Sequence, residues 1–395
     1  LGSILLYLPI SNQEPIAYLD ALFVSVSAVC VTGLVTVFPA AQFTLVGKVV
    51  LLGLIQIGGL GVASIGVGIM LAMGKKINLK ERRVIRDAMN LDSGKGLIRF
   101  VKAIFCTTLL IELLGAFLSF PVFFRDYPLP RAIGLSLFHS VASFNNSGFD
   151  VLGNGTSLIP YQKDVLLNLV TCALVIAGGI GFPVIFELPL KHFSWKRQSM
   201  HTRVVLSTTF ALLLFGTLLL KLTESISWLG AFFYSVSART AGFSTYNLSD
   251  FSTAGLLVVS GLMFIGASPA STGGGIKVAR MLILGKTALS DMRKMLHPTA
   301  VSAVRFEGKP LADQTVRSVH VFITVYLMVF TVSFLLLCLE GFDLITTFSA
   351  LAACINNVGP GLEVVGPMGN FSGFSPWGKL LLSFNMLVGR LEIFP

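Results

Sequence analysis

Four glycines, Gly33, Gly148, Gly242 and Gly359, each follow a short apolar stretch, in the contexts CVTGL, NNSGF, RTAGF and NNVGP. Glycine holds backbone geometry that other residues avoid, so successive carbonyls around it can turn toward one axis and replace the water around a cation. Taken alone, Val31-Thr32-Gly33-Leu34 is explained equally well by a glycine closing the C-terminus of a helix. The residues before the glycines, Thr32, Ser147, Ala241 and Val358, share no ligand chemistry. Coordination by the set would therefore come from backbone oxygens, which suits a weakly hydrated monovalent cation better than a divalent one that draws carboxylates. The candidate filter residues are Val31, Thr32, Gly33, Asn146, Ser147, Gly148, Thr240, Ala241, Gly242, Asn357, Val358 and Gly359.

A second pattern lies at Ser268–Lys277, SPASTGGGIK, which interrupts an apolar segment long enough to cross a membrane. Irregular backbone at that depth is tolerated only where it lines a cavity or is buried in protein. The Walker spacing fails, since no GK[ST] follows the glycines. Ser271, Thr272, Gly273, Gly274, Gly275 and Lys277 read as a gate, with a passive kink and a nucleotide site as the alternatives. Arg390, in LVGRLEIF, is a charge inside the last apolar run, and an intramembrane arginine is functional by default. It can face the cavity and close the path to cations, or it can pair with Glu392 or another helix, or reach the inner surface. Arg239 precedes the third glycine and reads as a brace. Glu112 either accepts hydrogen bonds from a filter loop or pairs with Arg239. Glu187 also lies in a span, and His139 reads as a packed residue. No Ser/His/Asp set, carboxylate dyad or metal cluster has workable spacing, so no enzyme is expected.

These residues need elements to hold them. The chain has 395 residues, 54% hydrophobic and 12% charged, against about 25% charged in soluble domains. It is an all-α polytopic membrane protein by composition. The start carries no cleavable signal pattern, and with Leu1 first and Pro395 inside an apolar run both ends read as trimmed. Cys30, Cys106, Cys172, Cys338 and Cys354 have no metal or disulfide spacing. Lys75–Arg99, Lys191–Arg203 and Lys277–Arg317 hold twenty of the twenty-nine Lys and Arg, which sets them on the cytoplasmic side. Nucleic-acid binding is not expected. Lys75–Arg99 reads as a linker with an interfacial helix or as a docking surface shared with Trp195–Arg203 and Arg293–Arg317.

Apolar runs of spanning length, about 20 residues, fall at Thr44–Met73, Phe100–Phe124, Asp164–Leu190, Val204–Leu222, Thr253–Leu284, Val319–Leu339 and from Trp377 onward, with Leu1–Ile10 as the remnant of another. Between them lie shorter stretches, Ile16–Val29, Arg131–Phe144, Ser225–Ala238 and Leu344–Ile355, which read as re-entrant helices. Their letters repeat: ALFVSVSAV, SLFHSVASF, AFFYSVSAR and TFSALAACI, each followed by its glycine. The expected architecture is four repeats of span, pore helix, filter loop and span around one pseudo-fourfold pore. The boundaries are 1–75, 76–190, 191–290 and 291–395. Asp20 and Asp343 stand where carboxylates cap helix N-termini. Gly58-Gly59-Leu60-Gly61 and Gly178-Gly179-Ile180-Gly181 recur at matching places and permit close packing or bending.

With these motifs in order, the sequence resembles the potassium transporter superfamily of bacterial Trk and Ktr membrane subunits and plant HKT proteins. AVCVTGLV, FNNSGFD, SARTAGFSTYN and INNVGPGL resemble its four filter loops, SPASTGGGIK its intramembrane loop and GRLEIFP its final span. The second and third repeats are more similar to Ktr, and Lys277–Lys309 to Trk. The resemblance implies potassium as the transported ion, with Gly33 kept where the sodium-transporting HKT branch has serine. It also implies a homodimer in the cell membrane (the inner membrane of a bacterium) controlled by a cytoplasmic ring of nucleotide-binding subunits. A sodium-coupled or sodium-conducting carrier of the same superfamily is the alternative.

Overall fold

The computed structural model describes residues 1–61, 64–66, 97–153, 155–297, 305–306, 309–359 and 361–391. Among them three helices are long and apolar enough to cross a membrane. They lie in α4 (Leu97–Asp126), α8 (Met200–Thr223) and α12 (Asp313–Leu337), each opening one unit of the chain. The short helices follow as α2 (Tyr18–Val29), α5 (Leu129–Phe144), α9 (Trp228–Ser237) and α13 (Leu344–Asn356). The second-half helices are α3 (Leu45–Leu60), α6 (Val165–Ile180) continued as α7 (Phe182–Leu190), α10 (Thr253–Phe264) and α14 (Pro376–Arg390). Gly2–Tyr7 forms α1, and Val278–Leu296 forms α11 after the glycine loop. Arg305–Phe306 pairs antiparallel with Lys309–Pro310, and single bridges join Asn12 to Phe43 and Ile265 to Ile276.

The first two second halves differ from the uninterrupted spans that hydropathy suggested, whereas an interruption of the third was expected at Ser268–Lys277. α3 stops before Gly61 (φ 81°), and α6 meets α7 across Gly181 (φ 86°) at a bend of 96°. α10 is only 12 residues long and ends at Phe264, where the gate-like loop begins. The apolar run continues past each break because the surroundings stay apolar. Hydropathy reports the medium around a chain and not the continuity of its backbone.

Each second-half helix starts in the same way. Thr44, Asp164, Ser252 and Ser375 are N-caps whose side chains accept from the N–H groups of Gly47, Leu167, Gly255 and Gly378 at 3.3, 2.9, 3.2 and 3.1 Å. The outer end of the preceding segment holds that cap. Ser252 donates N–H and O–H to Glu224 at 2.9 and 2.6 Å, and Ser375 does so to Glu340 at 2.9 and 2.5 Å. Arg125 reaches Asp164 at 3.1 Å, and Thr44 donates to the carbonyls of Ser11 and Ile10. Of the two expected acidic caps, Asp343 is one, accepting from the Thr346 N–H at 3.0 Å. Asp20 is not. It sits in the first turn of α2, which is capped by Ala17, and pairs with Lys379 of α14 at 2.8 Å. A partly buried ammonium nearby holds the carboxylate more firmly than free amides open to solvent.

Fourteen residues beyond those N-caps stand Gly58, Gly178, Gly266 and Gly389. In three units the glycine lies flat against the end of the preceding short helix. A methyl group on Gly58, Gly178 or Gly389 would fall on the carbonyl of Val29, Phe144 or Ile355 respectively. These are the last turns of α2, α5 and α13, so bare backbone is what lets each second-half helix seat there. Apolar clusters carry the units round in a closed order. One joins the first and second units and reaches Phe233 and Phe243 of the third. Another joins Val358 and Leu362 of the fourth to the third. A further one joins Leu351 and Leu382 of the fourth to Phe23 and Cys30 of the first.

This packing makes a direct contrast. Gly389→Ala forces a methyl onto the Ile355 backbone and should cost about 1–3 kcal/mol of stability. Gly261→Ala, in α10 with open space around it, should be neutral or stabilise by up to ~1 kcal/mol. Thermal unfolding of the two variants in detergent checks both signs.

Candidate functional site

The glycine loops share one backbone course. Val31, Asn146, Thr240 and Asn357 have φ of 57°, 55°, 80° and 51°, and Gly33, Gly148, Gly242 and Gly359, two residues on, have φ of 83°, 66°, 76° and 119°. The first positive-φ residue ends the short helix. Val31 N–H bonds Ala28 O and Thr32 N–H bonds Ser27 O, the pairing of a Schellman cap. The same pair recurs as Asn146 to Ser143 with Ser147 to Ala142, and as Asn357 to Cys354 with Val358 to Ala353. In the third loop the long bond comes from Gly242 to Ser237. The positive-φ residue stands two residues before the glycine. It is Asn, which tolerates this conformation, in two loops and the β-branched Val31 and Thr240, which seldom adopt it, in the others. The glycine is a second, separate reversal.

Side chains before the glycines turn into the protein. Thr32, Ser147, Ala241 and Val358 are all buried, as are Val31, Asn146, Thr240 and Asn357. The glycines face one another. A methyl on Gly33 would meet the Ser147 carbonyl, one on Gly148 would lie 3.2 Å from Gly242 Cα, and one on Gly359 would lie 2.5 Å from it. Gly33, Gly148, Gly242, Asp150, Phe38 and Phe371 line a cavity of about 50 Å³ opening outward from this meeting point, room for a few waters at about 10–15 Å³ each. Asp150 accepts from Leu152 and Ser157 N–H groups at 2.6 and 3.0 Å, and burial pushes its carboxyl up to about 7.

Polar groups hold the loops from behind. Asn357 donates to Thr32 Oγ1 at 2.9 Å and to the Met386 carbonyl at 3.0 Å, tying the fourth loop to the first. The Asn146 amide faces the Val175 and Ser143 carbonyls and, with its nitrogen turned toward them, donates to both at 3.1 and 3.2 Å. Glu112 takes the first of its two expected roles. Its carboxylate, only 4% exposed, accepts from Asn145 at 3.0 Å and Gln56 at 3.1 Å. Arg239 instead donates to the Gly266 carbonyl at 3.3 Å. His139 is packed between Phe123 and Phe243 and bonds Thr171 at 2.8 Å. Asn145, Gln56, Asn356 and Tyr326 were missed from sequence. Tyr326 donates to Asn356 at 2.9 Å. The signal was the repeated Asn-Asn doublet of NNS and NNV, whose first member anchors while the second caps.

Ser268–Lys277 packs against the inner ends of the short helices. Thr272 donates its hydroxyl to the Phe144 carbonyl at 3.1 Å and its N–H to Gly178 at 3.3 Å. Ser268 bonds the Gly179 and Ile180 carbonyls, and Ser271 bonds Ser268. A methyl on Gly274 would stand 2.6 Å from Asn357 Cβ, and one on Gly273 would strike Thr240. Lys277, buried, donates to the Gly273 carbonyl at 2.7 Å. Arg390 donates to the carbonyls of Thr272 and Gly273 at 2.8 and 3.0 Å and to Gly58 at 2.5 Å. One guanidinium thus ties the last helix to the glycine loop and to the first unit. Glu392 and most of Lys75–Arg99 lie outside the described residues.

Removing the Glu112 carboxylate takes the acceptor from the half-buried Gln56 amide, while Asn145 keeps the Gln56 and Val141 oxygens. Glu112→Ala should lower stability by about 1–3 kcal/mol for the donor left unpaired, measured by denaturation in detergent, whereas Glu363→Ala on the exposed outer surface should change it by less than about 0.5 kcal/mol.

The model of the cation transport protein family TrkH matches residues 2–222 and 200–395. The chain is 36% identical over 306 residues to the Ktr system potassium uptake protein B of Bacillus subtilis, covering 74% of this chain and 68% of that one. It is 32% identical to the potassium/sodium uptake protein NtpJ of Enterococcus hirae, covering 99% of this chain and 88% of that one. The crystal structure of the potassium transporter TrkH from Vibrio parahaemolyticus superposes with a TM-score of 0.77 at 25% identity, over 96% of this chain and 77% of that one. Family model and relatives meet along the whole chain, which belongs to the TrkH family of cation transport proteins as a multi-pass membrane subunit of Trk/Ktr type.

Proposed function

We propose that this chain takes up potassium through a single channel-like path between the four glycine loops. Backbone carbonyls of Val31–Gly33, Asn146–Gly148, Thr240–Gly242 and Asn357–Gly359 replace the ion's water. The observation that carries this reading is the paired positive φ at matching positions in all four loops, with the intervening side chains buried. Buried side chains leave only backbone oxygens for the axis, and carbonyl dipoles suit a monovalent ion. The four units would be residues 1–75, 76–190, 191–290 and 291–395.

In this reading Ser271–Gly275 with Lys277 is the gate and Arg390 its latch. Arg390 spends its donors on loop carbonyls, and its charge stands in the way of a cation; releasing it frees the loop. The names of relatives as potassium uptake proteins support the ion. The Ktr and Trk systems they are named for support partnership with further subunits, and the form proposed for it is a homodimer on a cytoplasmic nucleotide-binding ring. Trp195–Arg203 and the described part of Arg293–Arg317 supply basic surface for it. The name of the Enterococcus relative favours a second reading, in which sodium is coupled or conducted.

Purified chain in liposomes separates these readings. Potassium flux should exceed sodium flux under matched gradients and be independent of a proton gradient. Arg390→Gln should raise potassium flux about tenfold without the ring, equivalent to losing ~1.4 kcal/mol of closed-state preference. Strict stoichiometric coupling to sodium would defeat the channel reading, and unchanged flux in Arg390→Gln would defeat the latch.

A further inference from the structure

Three of the four units lock the short helix to the second-half helix through bare backbone, glycine against carbonyl: Gly58 on Val29, Gly178 on Phe144 and Gly389 on Ile355. The equivalent glycine of the third unit, Gly266, cannot do this. Its helix has ended at Phe264, and Gly266 lies at the neck of the gate loop, with its N–H on the Ile276 carbonyl at 2.9 Å. A methyl there would meet the backbone of Gly274 and Gly275. What joins filter to second-half helix in this unit is a side chain. Arg239, the residue before the positive-φ Thr240, reaches across to the Gly266 carbonyl at 3.3 Å. Beside it lies a small cavity lined by Arg239, Asn146, Thr209, Gly179 and Ala267, and its Nε, buried, has no partner.

We propose that Arg239 is a positioning residue that couples the gate loop to the third filter loop, so that opening the gate changes how strictly the filter excludes sodium. The inference rests on the gate and filter reading above. The physical argument is one of stiffness. Backbone seated on backbone has no room to give, and three loops are fixed in that way. The third loop lies against Gly273 of the gate loop at Thr240, but its tie to the Gly266 neck is one long, charge-assisted hydrogen bond from a flexible side chain. The carbonyl it holds belongs to the segment that must move: Gly266 and Ala267 are bonded to Ile276, Gly274 and Val278, the two sides of the loop neck. Displacing the neck therefore pulls on Arg239, and through its backbone on Thr240, Ala241 and Gly242. The cavity and the unspent Nε donor give the guanidinium a second place to bond as it moves.

The test uses the full chain in liposomes, as wild type, Arg239→Gln, Arg390→Ala and the double variant, with potassium and sodium flux and thermal unfolding measured on each. Arg239→Gln should lower the potassium-to-sodium flux ratio about tenfold, the scale of one lost charged hydrogen bond. Arg390→Ala should raise potassium flux and lower the ratio as well. The double variant should show no further fall in the ratio below Arg239→Gln alone, because the strut that transmits gate movement is gone. Independent falls that multiply, or an unchanged ratio in Arg239→Gln, would overturn the coupling. A purely structural role would lower the melting temperature and leave the ratio alone. Should Arg239→Gln not fold, Arg239→Lys keeps the charge without the planar fork; a lowered ratio supports the strut and an unchanged one refutes it. Absence of potassium flux in both wild type and Arg390→Ala would instead count against the channel reading.

Discussion

Backbone that leaves helical geometry inside a membrane must find every partner within the protein, and this chain has four such places side by side. Each short helix ends in a left-handed residue and then reverses again at a glycine. The freed carbonyls and N–H groups are not left to lipid. They are closed by local caps, by asparagines behind the loops, and by glycines of the second-half helices set hard against the helix ends. The rest of the fold follows from that requirement. The N-caps at Thr44, Asp164, Ser252 and Ser375 set where each second-half helix begins, and fourteen residues later the same register delivers a glycine to the loop it supports.

The third unit departs from the pattern. Where the others continue past the glycine, α10 gives way to a loop that touches all four units. It is hydrogen-bonded to Phe144 and Gly178 in the second and to Arg390 of the fourth, packs against Thr240 and Asn357 in the third and fourth, and is linked through Arg390 to Gly58 in the first. Arg390 itself follows Gly389, at the place held by Gly59, Gly179 and Ala267 in the other units. A residue that would have been small is instead long and charged, and it donates to two loop carbonyls and to Gly58. The third and fourth units are therefore variants of one repeated design, the third in the loop that replaces its helix and the fourth in the arginine that follows the shared glycine.

Much of this was legible in the letters. The recurring short stretches and their glycines marked α2, α5, α9 and α13 to within a few residues, and Ser268–Lys277 and Arg390 stood out because glycine runs and charges are costly in apolar surroundings. Two things were not. The first two second-half helices read as continuous spans because apolar composition says nothing of where a backbone turns. The Gly178–Gly181 cluster allowed for bending without giving its 96° size, and Ser268–Lys277 marked an interruption without showing that α10 ends as early as Phe264. Asp20 looked like a cap because its position along the chain fitted one; Lys379, its partner, is 359 residues away in sequence, and no local pattern can report that. The Glu112–Gln56–Asn145 cluster was hidden for the same reason, since its three residues come from three helices.

The account turns on the claim that the four glycine loops surround one ion path. Density for a heavy monovalent cation such as thallium or rubidium in the membrane-embedded protein tests it most directly. The account predicts peaks on the axis between Gly33, Gly148, Gly242 and Gly359, within coordinating distance of backbone oxygens. An axis plugged by side chains, with the ion bound elsewhere, would contradict it.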